Sequence, residues 1–526
     1  MYQNGCVSEN EFVMVIEKFA VMPDNVRLYT RCIVPKGVEK CPVIYMRTPY
    51  EAAHNGVSHS LEEYKNNAFI NHGYAIVLQH CRGRGDSEGV CTPYQERNDG
   101  LATLDFIRSM PFYNGEIYVL GGSYLATVHL CYLSANPKDI KGACLQIQTD
   151  RMFYRNYRNG CNYRLNNADW WARMLERRFP EQNCKEMYKR PYIDSAKRVY
   201  GVDVPEFTEK LIHNICDKYW TDTQSWSAID NLEIPTLFVE GWYDFYIEGM
   251  TNMWERMPPE TKKRSAMFIG PFGHGTAVSP NAEYPLKNGN LPDDYVVEWF
   301  DSIRENRAYK YAEYGKITYY SIGADEWCAE TYPKENICKK RFWFEADGTL
   351  RTECGTGGSL SYLYDPSEGT RYKTGNIFKA HKIGTADGIL SFVSSLIEKE
   401  QNFFGKIKFH LDVSSDCEDT AFYMRVYFME GDESYNLTET VGSLSYLVGD
   451  YVPRNKVSIE LESSPIAFTL KEGMRIRVDI SSDSGVYMPH PNVKGHFAYV
   501  EETKIAKNTV YTLESYIELP LADDRL

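Results

Sequence analysis

The chain has 526 residues, room for two to four domains of roughly 100–200 residues each, and its 43% hydrophobic and 25% charged content is that of a globular protein that can bury a sizeable core. A net charge of −14, with no basic run, argues against nucleic acid or an anionic membrane as a partner. No apolar run approaches the roughly 18 residues of a spanning helix, Met1–Phe19 has no signal-peptide pattern, and the 14 Cys lack CxxC or any short repeated spacing, which leaves no metal or disulfide framework and fits reduced thiols in the cytoplasm.

In chain order, Val43–Met46, Ala75–Leu78 and Ile117–Leu120 read as short buried strands bounded by Gly, Pro or Asn. Asn98–Met110 lies between the last two with helical periodicity, and Asn98 or Asp99 serves as its N-cap. Strand and helix in this rhythm predict a parallel sheet covered on both faces, with the first part of an α/β core over residues 1–149. Residues 150–230 lose the strand pattern and read as a helical insertion, in which Trp171, Met174, Leu175 and Phe179 share one helical face. The core resumes over residues 231–335 with Thr236–Val239, Ala266–Ile269 and Ile317–Ile322. Over residues 336–526, apolar positions alternate with polar ones, as at Ile407, Phe409, Leu411 and Val413 or Met474, Ile476, Val478 and Ile480. That alternation, with many Gly, Asp and Ser turns, predicts an all-β two-sheet sandwich or jelly roll.

Ile117–Leu120 runs into Gly121-Gly122-Ser123-Tyr124-Leu125-Ala126, a variant of the G-x-S-x-G elbow with Leu125 in the place of the last glycine. Such a turn lifts a Ser Oγ above a sheet at a helix N-terminus, where backbone N–H groups can receive an oxyanion. A hydroxyl needs a base, and in α/β-hydrolases the order is Ser, acid, His, each on a loop after its own strand. His274, between two glycines after Ala266–Ile269, fits the base; the other ten His lie before the elbow, too close behind it, in the insertion or in the β region. Asp244, just past Thr236–Val239, fits the acid, while Glu240 falls in the strand and Glu248 on the helix that follows.

These residues resemble the cocaine-esterase and X-prolyl dipeptidyl-peptidase family of α/β-hydrolases. The resemblance rests on Arg47-Thr48-Pro49-Tyr50, Gln79, the run from Arg82 to Gly89, Asn98-Asp99-Gly100, the elbow, Gly241-Trp242-Tyr243-Asp244, Gly270-Pro271-Phe272-Gly273-His274 and the run from Gly323 to Trp327. Leu125 conforms to that family's elbow, and Ala126 is the one departure. The resemblance implies an α/β-hydrolase core, a lid formed by residues 150–230, and a galactose-binding-like jelly roll at the C-terminal end. It also implies that the Tyr50 hydroxyl and the Tyr124 backbone N–H form the oxyanion hole, that Trp170, Trp171 or Tyr246 contacts substrate, and that no cofactor or metal takes part. Family members that take α-amino acid esters carry acidic residues just after the acid. Phe245, Tyr246 and Ile247 stand there instead and point to neutral esters or amides.

The expected activity is a carboxylesterase-type serine hydrolase acting on a small-molecule ester, amide or short peptide. An X-Pro dipeptidyl-peptidase is the first alternative and a non-catalytic carbohydrate-binding or scaffold protein the second. A homo-oligomer stays open. The glycines of Arg82–Gly89 are spaced unlike a dinucleotide fingerprint, and Asp86 and Glu88 would repel a pyrophosphate, so the loop reads as support for the active-site face.

Overall fold

Short apolar segments separated by turns assemble an eleven-stranded sheet from the first 330 residues. The computed structural model describes residues 6–50, 61–163, 186, 189–334, 337–355, 357–367, 388–483 and 485–522. Three strands, β1 (Cys6–Glu9), β2 (Val13–Val21) and β3 (Arg27–Pro35), pair antiparallel at one edge. Next come β4 (Cys41–Thr48), β5 (Ala75–His80), β6 (Tyr113–Gly122) and β7 (Ile140–Gln146), then a separate ribbon of β8 (Tyr157–Arg158) and β9 (Cys161–Asn162). The sheet is completed by β10 (Thr236–Gly241), β11 (Ala266–Gly270), β12 (Ile317–Ser321) and β13 (Glu326–Glu330). Its spatial order is β1-β2-β3-β5-β4-β6-β7-β10-β11-β12-β13, parallel from β5 to β12.

Every residue of β5, β10 and β11 is buried, as parallel strands covered on both faces require. The covering helices are Arg97–Arg108, Tyr124–Leu133, Ile247–Arg256 and Tyr295–Arg304. Trp254 and Trp299 from the last two are fully buried, and the Trp299 indole N–H donates to the Ala143 carbonyl at 2.9 Å.

The strands read from sequence all form, each lengthened or trimmed by a few residues. The helix expected from Asn98 begins at Arg97 with Glu96 at its N-cap, and neither Asn98 nor Asp99 caps it. Asp99 is committed elsewhere: its carboxylate takes a forked pair from Arg82, at 2.6 and 2.9 Å. The sequence reading does not include the N-terminal strands β1–β3 or strand β7: β1, β3 and β7 mix polar and apolar residues, and in β2 the run Val13–Ile16 gives way at once to Glu17 and Lys18. In the region expected to be helical, Met152–Asn156, Ser195–Tyr200, Pro205–Ile212 and Lys218–Thr221 are helices. The face of Trp171, Met174, Leu175 and Phe179 lies outside the described residues, as does Trp170.

The C-terminal part is a mostly antiparallel β domain. Alternation alone reads as two sheets; nine strands follow one hydrogen-bond path, and a tenth, Ser359–Tyr364, joins it from the side. The long strand Ala506–Pro520 causes this, because it pairs with Lys339–Phe344, Ser359–Tyr364 and Lys408–Ser415 at once. The predicted inward positions Phe409, Leu411, Val413, Ile476, Val478 and Ile480 are all buried. This domain touches the hydrolase sheet closely: the Tyr243 hydroxyl donates to the Asn436 carbonyl at 3.2 Å, and Arg158 reaches Ser464 Oγ and the Glu462 carbonyl at 3.0 Å each. No helix among the described residues is long and apolar enough to cross a membrane.

Candidate active site

Three loops at the C-terminal edge of the parallel strands bring Ser123, Asp244 and His274 together. Ser123 joins β6 to the helix Tyr124–Leu133 with φ 54° and ψ −129°, a conformation that holds about 1–3 kcal/mol of strain in a residue with a Cβ. The turn is fixed from both sides. Its N–H donates to the Gln146 carbonyl at 2.9 Å, and its carbonyl accepts from Ala126, Thr127 and the Gln148 side-chain amide. Gly121 supplies the close approach: a Cβ there would sit 2.4 Å from the Leu125 carbonyl oxygen. The crowding therefore falls on the glycine two residues before Ser123, and Leu125 is tolerated within the helix. Ala126 is fully buried in the core.

Asp244 and His274 are aligned by backbone bonds between their loops. Trp242 N–H donates to the Gly270 carbonyl and Tyr243 N–H to the Phe272 carbonyl, both at 2.9 Å. Gly241 packs directly on Phe272, where a Cβ would meet the carbonyl oxygen at 2.4 Å. The Asp244 carboxylate accepts from the Tyr246 N–H at 2.9 Å through Oδ1 and lies 2.8 Å from His274 Nδ1 through Oδ2. With Nδ1–H donating there, His274 Nε2 is left to accept from the Ser123 hydroxyl at 3.0 Å. The Asp244 side chain is 0% exposed and that of His274 is 32% exposed, so the relay runs from the core to an open face.

The competing residues have other commitments. His129 lies in the core between Leu120 and Tyr132, where burial drives its pKa down to about 3. Glu240, the last but one residue of β10, is fully buried. One carboxyl oxygen accepts from the Gly241 N–H at 2.8 Å and the other has no hydrogen-bond partner. Burial first, and the Asp244 charge second, raise its pKa well above the carboxylate range. Glu248 sits on the helix after Asp244, with Arg158 at 3.2 Å.

Around the three lies an aromatic wall. Phe245 stacks on the imidazole with ring centres 4.6 Å apart, and Tyr246 is 5.7 Å away. Tyr246 is buried, which pushes its phenol up to about 12 against the pull of Arg155. Tyr50 is half-buried and packs on the same cluster as Tyr124 and Tyr246. Its loop is tied down by residues of the sequence motifs: Arg84 Nε donates to the Pro49 carbonyl at 2.6 Å, Cys81 N–H to the Thr48 carbonyl at 2.8 Å, and buried Arg47 bonds Gln79 Oε1 and the Glu96 carbonyl. The Arg82–Gly89 loop thus braces this face through Arg84. The Tyr124 N–H opens the helix, while its side chain is turned into the core, donating to Glu96 Oε1 at 2.6 Å. The sequence reading missed two contributors, Gln148 and Arg155, which belong to no motif and are marked only by their order after β7; it named Phe245 as an apolar position after Asp244 but not its stack on His274.

Comparison with known proteins agrees with this architecture. Residues 24–276 match the family model described as X-Pro dipeptidyl-peptidase (S15 family), and residues 312–517 match that of the X-Pro dipeptidyl-peptidase C-terminal non-catalytic domain. The cocaine esterase of Rhodococcus sp. (strain MB1 Bresler) is 21% identical over 452 residues, 76% of this chain and 78% of its own. Among solved structures, an aminopeptidase from a marine sediment Thaumarchaeota archaeon superposes with a TM-score of 0.86 at 17% identity, over 98% of both chains. An alpha-amino acid ester hydrolase superposes with 0.83 at 18% identity, again over 98% of both. A CocE/NonD family hydrolase from Staphylococcus aureus gives 0.68 at 15%, over 97% of this chain and 94% of that one. These solved structures share an α/β-hydrolase fold followed by a C-terminal β domain.

Two outcomes follow from the packing. Gly121→Ala is expected to displace the Ser123 turn and lower kcat/KM about tenfold or more, since small misplacements of a reacting group are amplified in rate; a wild-type rate would show that the turn absorbs a Cβ. Glu240 has a folded pKa above its ordinary 4.5, so above about pH 4.5 the unfolded chain loses this proton while the folded chain keeps it, and stability falls as pH rises. Glu240→Gln removes that loss. Its melting temperature at pH 7 should match or exceed that of the wild type, and the decline from pH 5 to pH 7 should flatten. A lower melting temperature at pH 7 would mean that Glu240 is ionised.

Proposed function

We propose, since this chain belongs to the X-Pro dipeptidyl-peptidase and cocaine-esterase family of serine hydrolases, that it is a carboxylesterase-type acyl hydrolase with Ser123 as nucleophile, His274 as base and Asp244 as the acid. The observation that carries this reading is the hydrogen-bonded series Ser123 Oγ, His274 and Asp244, at 3.0 and 2.8 Å. His274 Nε2 takes the Ser123 proton as Oγ attacks the carbonyl carbon, and Asp244 stabilises the imidazolium that forms. The oxyanion is held by the Tyr50 hydroxyl and the Tyr124 N–H. Collapse expels the alcohol or amine with a proton from His274, leaving an acyl-enzyme. Water, deprotonated by the same His274, then releases the acid.

Residues 150–230 act as a lid over this site, and the C-terminal β domain is read as a jelly roll that braces the acid loop. Asn436, which accepts from Tyr243, supports that bracing role. An ester is favoured over an Xaa-Pro peptide because Phe245 and Tyr246 follow Asp244 and Glu248, on the helix beyond them, is engaged by Arg158. A non-catalytic role leaves the strained Ser123 turn and its relay without a purpose. The second reading, an X-Pro dipeptidyl-peptidase, is favoured by the family model over residues 24–276.

Ser123→Ala is expected to abolish turnover with the melting temperature nearly unchanged, and an unchanged rate would overturn the mechanism. Tyr50→Phe should lower kcat by roughly two to three orders of magnitude, the loss expected for one oxyanion donor; a normal kcat would remove Tyr50 from the site. The two readings separate on kcat/KM for p-nitrophenyl butyrate against Gly-Pro-p-nitroanilide. Preference for the anilide would replace the esterase with the exopeptidase.

A further inference from the structure

Beside Asp244, between the hydrolase core and the β domain, lies a cavity of 80 Å³. Its charged lining residues are Arg155, Arg158, Asp244, Glu248, Arg425 and Glu439. Two of the acids pair with arginines, Glu248 with Arg158 at 3.2 Å and Glu439 with Arg425 at 2.8 Å, and Asp244 faces the His274 imidazole at 2.8 Å. Arg155 has no carboxylate among the described residues within ion-pair distance. Its guanidinium has Asn156 Oδ1 at 3.3 Å and the Tyr246 hydroxyl, whose pKa it lowers, while its buried Nε has no hydrogen-bond partner. The guanidinium carbon stands 4.6 Å from the Phe245 ring centre and 5.8 Å from that of Tyr246. Phe245 in turn is the ring that stacks 4.6 Å from the His274 imidazole.

Lys210, on the helix Pro205–Ile212, is buried with Nζ 5.9 Å from the Tyr94 ring, and burial followed by the Arg155 charge depresses its pKa well below the lysine range. Lining this cavity, then, is a guanidinium with no described carboxylate within ion-pair distance, one aromatic ring away from the base. A half-buried guanidinium with an unused N–H gains most from an anion that offers two oxygens, which is the geometry of a carboxylate.

We propose that Arg155 forms a carboxylate subsite, so that the preferred substrate is an ester carrying a carboxylate several bonds from the scissile carbonyl. The proposal rests on Ser123, His274 and Asp244 being the catalytic groups. The carboxylate belongs either to the acyl chain or to the alcohol, and matched substrates distinguish the two. Monoethyl adipate is compared with ethyl hexanoate for the acyl side, and butyryloxyhexanoate with hexyl butyrate for the alcohol side. Acid release is titrated at constant pH with the full chain. One anionic member is expected to exceed its neutral partner in kcat/KM by about 10- to 100-fold, the range of a hydrogen bond to a charged group. That ratio should fall as salt is added, and Arg155→Gln should bring it to about one or below. Preference for the neutral ester in both pairs, or an unchanged ratio in Arg155→Gln, overturns the subsite. Should the variant fail to fold, the salt dependence of the wild-type ratio decides, and a salt-independent ratio counts against it. Turnover that persists in Ser123→Ala instead overturns the hydrolase reading, and the subsite with it.

Discussion

Close backbone approach at the C-terminal ends of three parallel strands is the constraint on which the rest of this molecule depends. Gly121 lies against the Leu125 carbonyl, Gly241 against the Phe272 carbonyl, and Gly270 against the Phe272 ring, each nearer than a Cβ allows. These contacts fix how the chain leaves β6, β10 and β11, and so fix where Ser123, Asp244 and His274 stand. The parallel pairing of β10 with β11 then sets the acid and base loops side by side, with Gly241 directly opposite Gly270. Hydrogen bonds from Trp242 and Tyr243 to the second loop lock them. A site built this way is as rigid as the sheet beneath it, which is what preorganised charge stabilisation needs.

Electrostatics in the site follows from burial. Two carboxyls share the end of β10 in different surroundings. Asp244 has a backbone donor and an imidazole as partners. Glu240 has one backbone donor and an unsatisfied oxygen, and burial keeps it neutral. Of the two, only Asp244 lies within hydrogen-bond distance of His274. The rings of Phe245 and Tyr246 screen that pair from solvent on the side of the cavity.

Support for the proposed oxyanion hydroxyl comes from far along the chain. Arg47, Gln79, Arg84 and Glu96 form a buried polar network that holds the segment ending in Tyr50, and Thr103 and Thr30 complete it through Gln79. The Gln79 side chain and the Glu96 carbonyl accept from Arg47 Nε and Nη1, while its buried Nη2 has no hydrogen-bond partner among the described residues. The Arg82–Gly89 run, read from sequence as support for the active-site face, supplies structural ties: Arg82 joins Asp24 to Asp99, and Arg84 holds Pro49.

By itself, the sequence determined the class of fold and the order of its parts. Buried strands announce themselves by unbroken apolar runs, and an elbow by its small residues, because both reflect local backbone requirements. Hence Ser123, Asp244 and His274 could be placed at strand ends before any coordinates, and Glu240 and Glu248 set aside. Strands with mixed faces, such as β1, β2, β3 and β7, stayed hidden, since their partners rather than their own residues decide their burial. Tertiary structure alone decided the rest. It turned the Tyr124 side chain into the core, stacked Phe245 on the imidazole, and left Arg155 without a carboxylate among the described residues. Spacing along a chain shows which residues can reach a strand end. The sign and number of charges meeting in one cavity depend on segments hundreds of residues apart, here those carrying Arg155, Asp244 and Glu439, and only the folded packing brings those together.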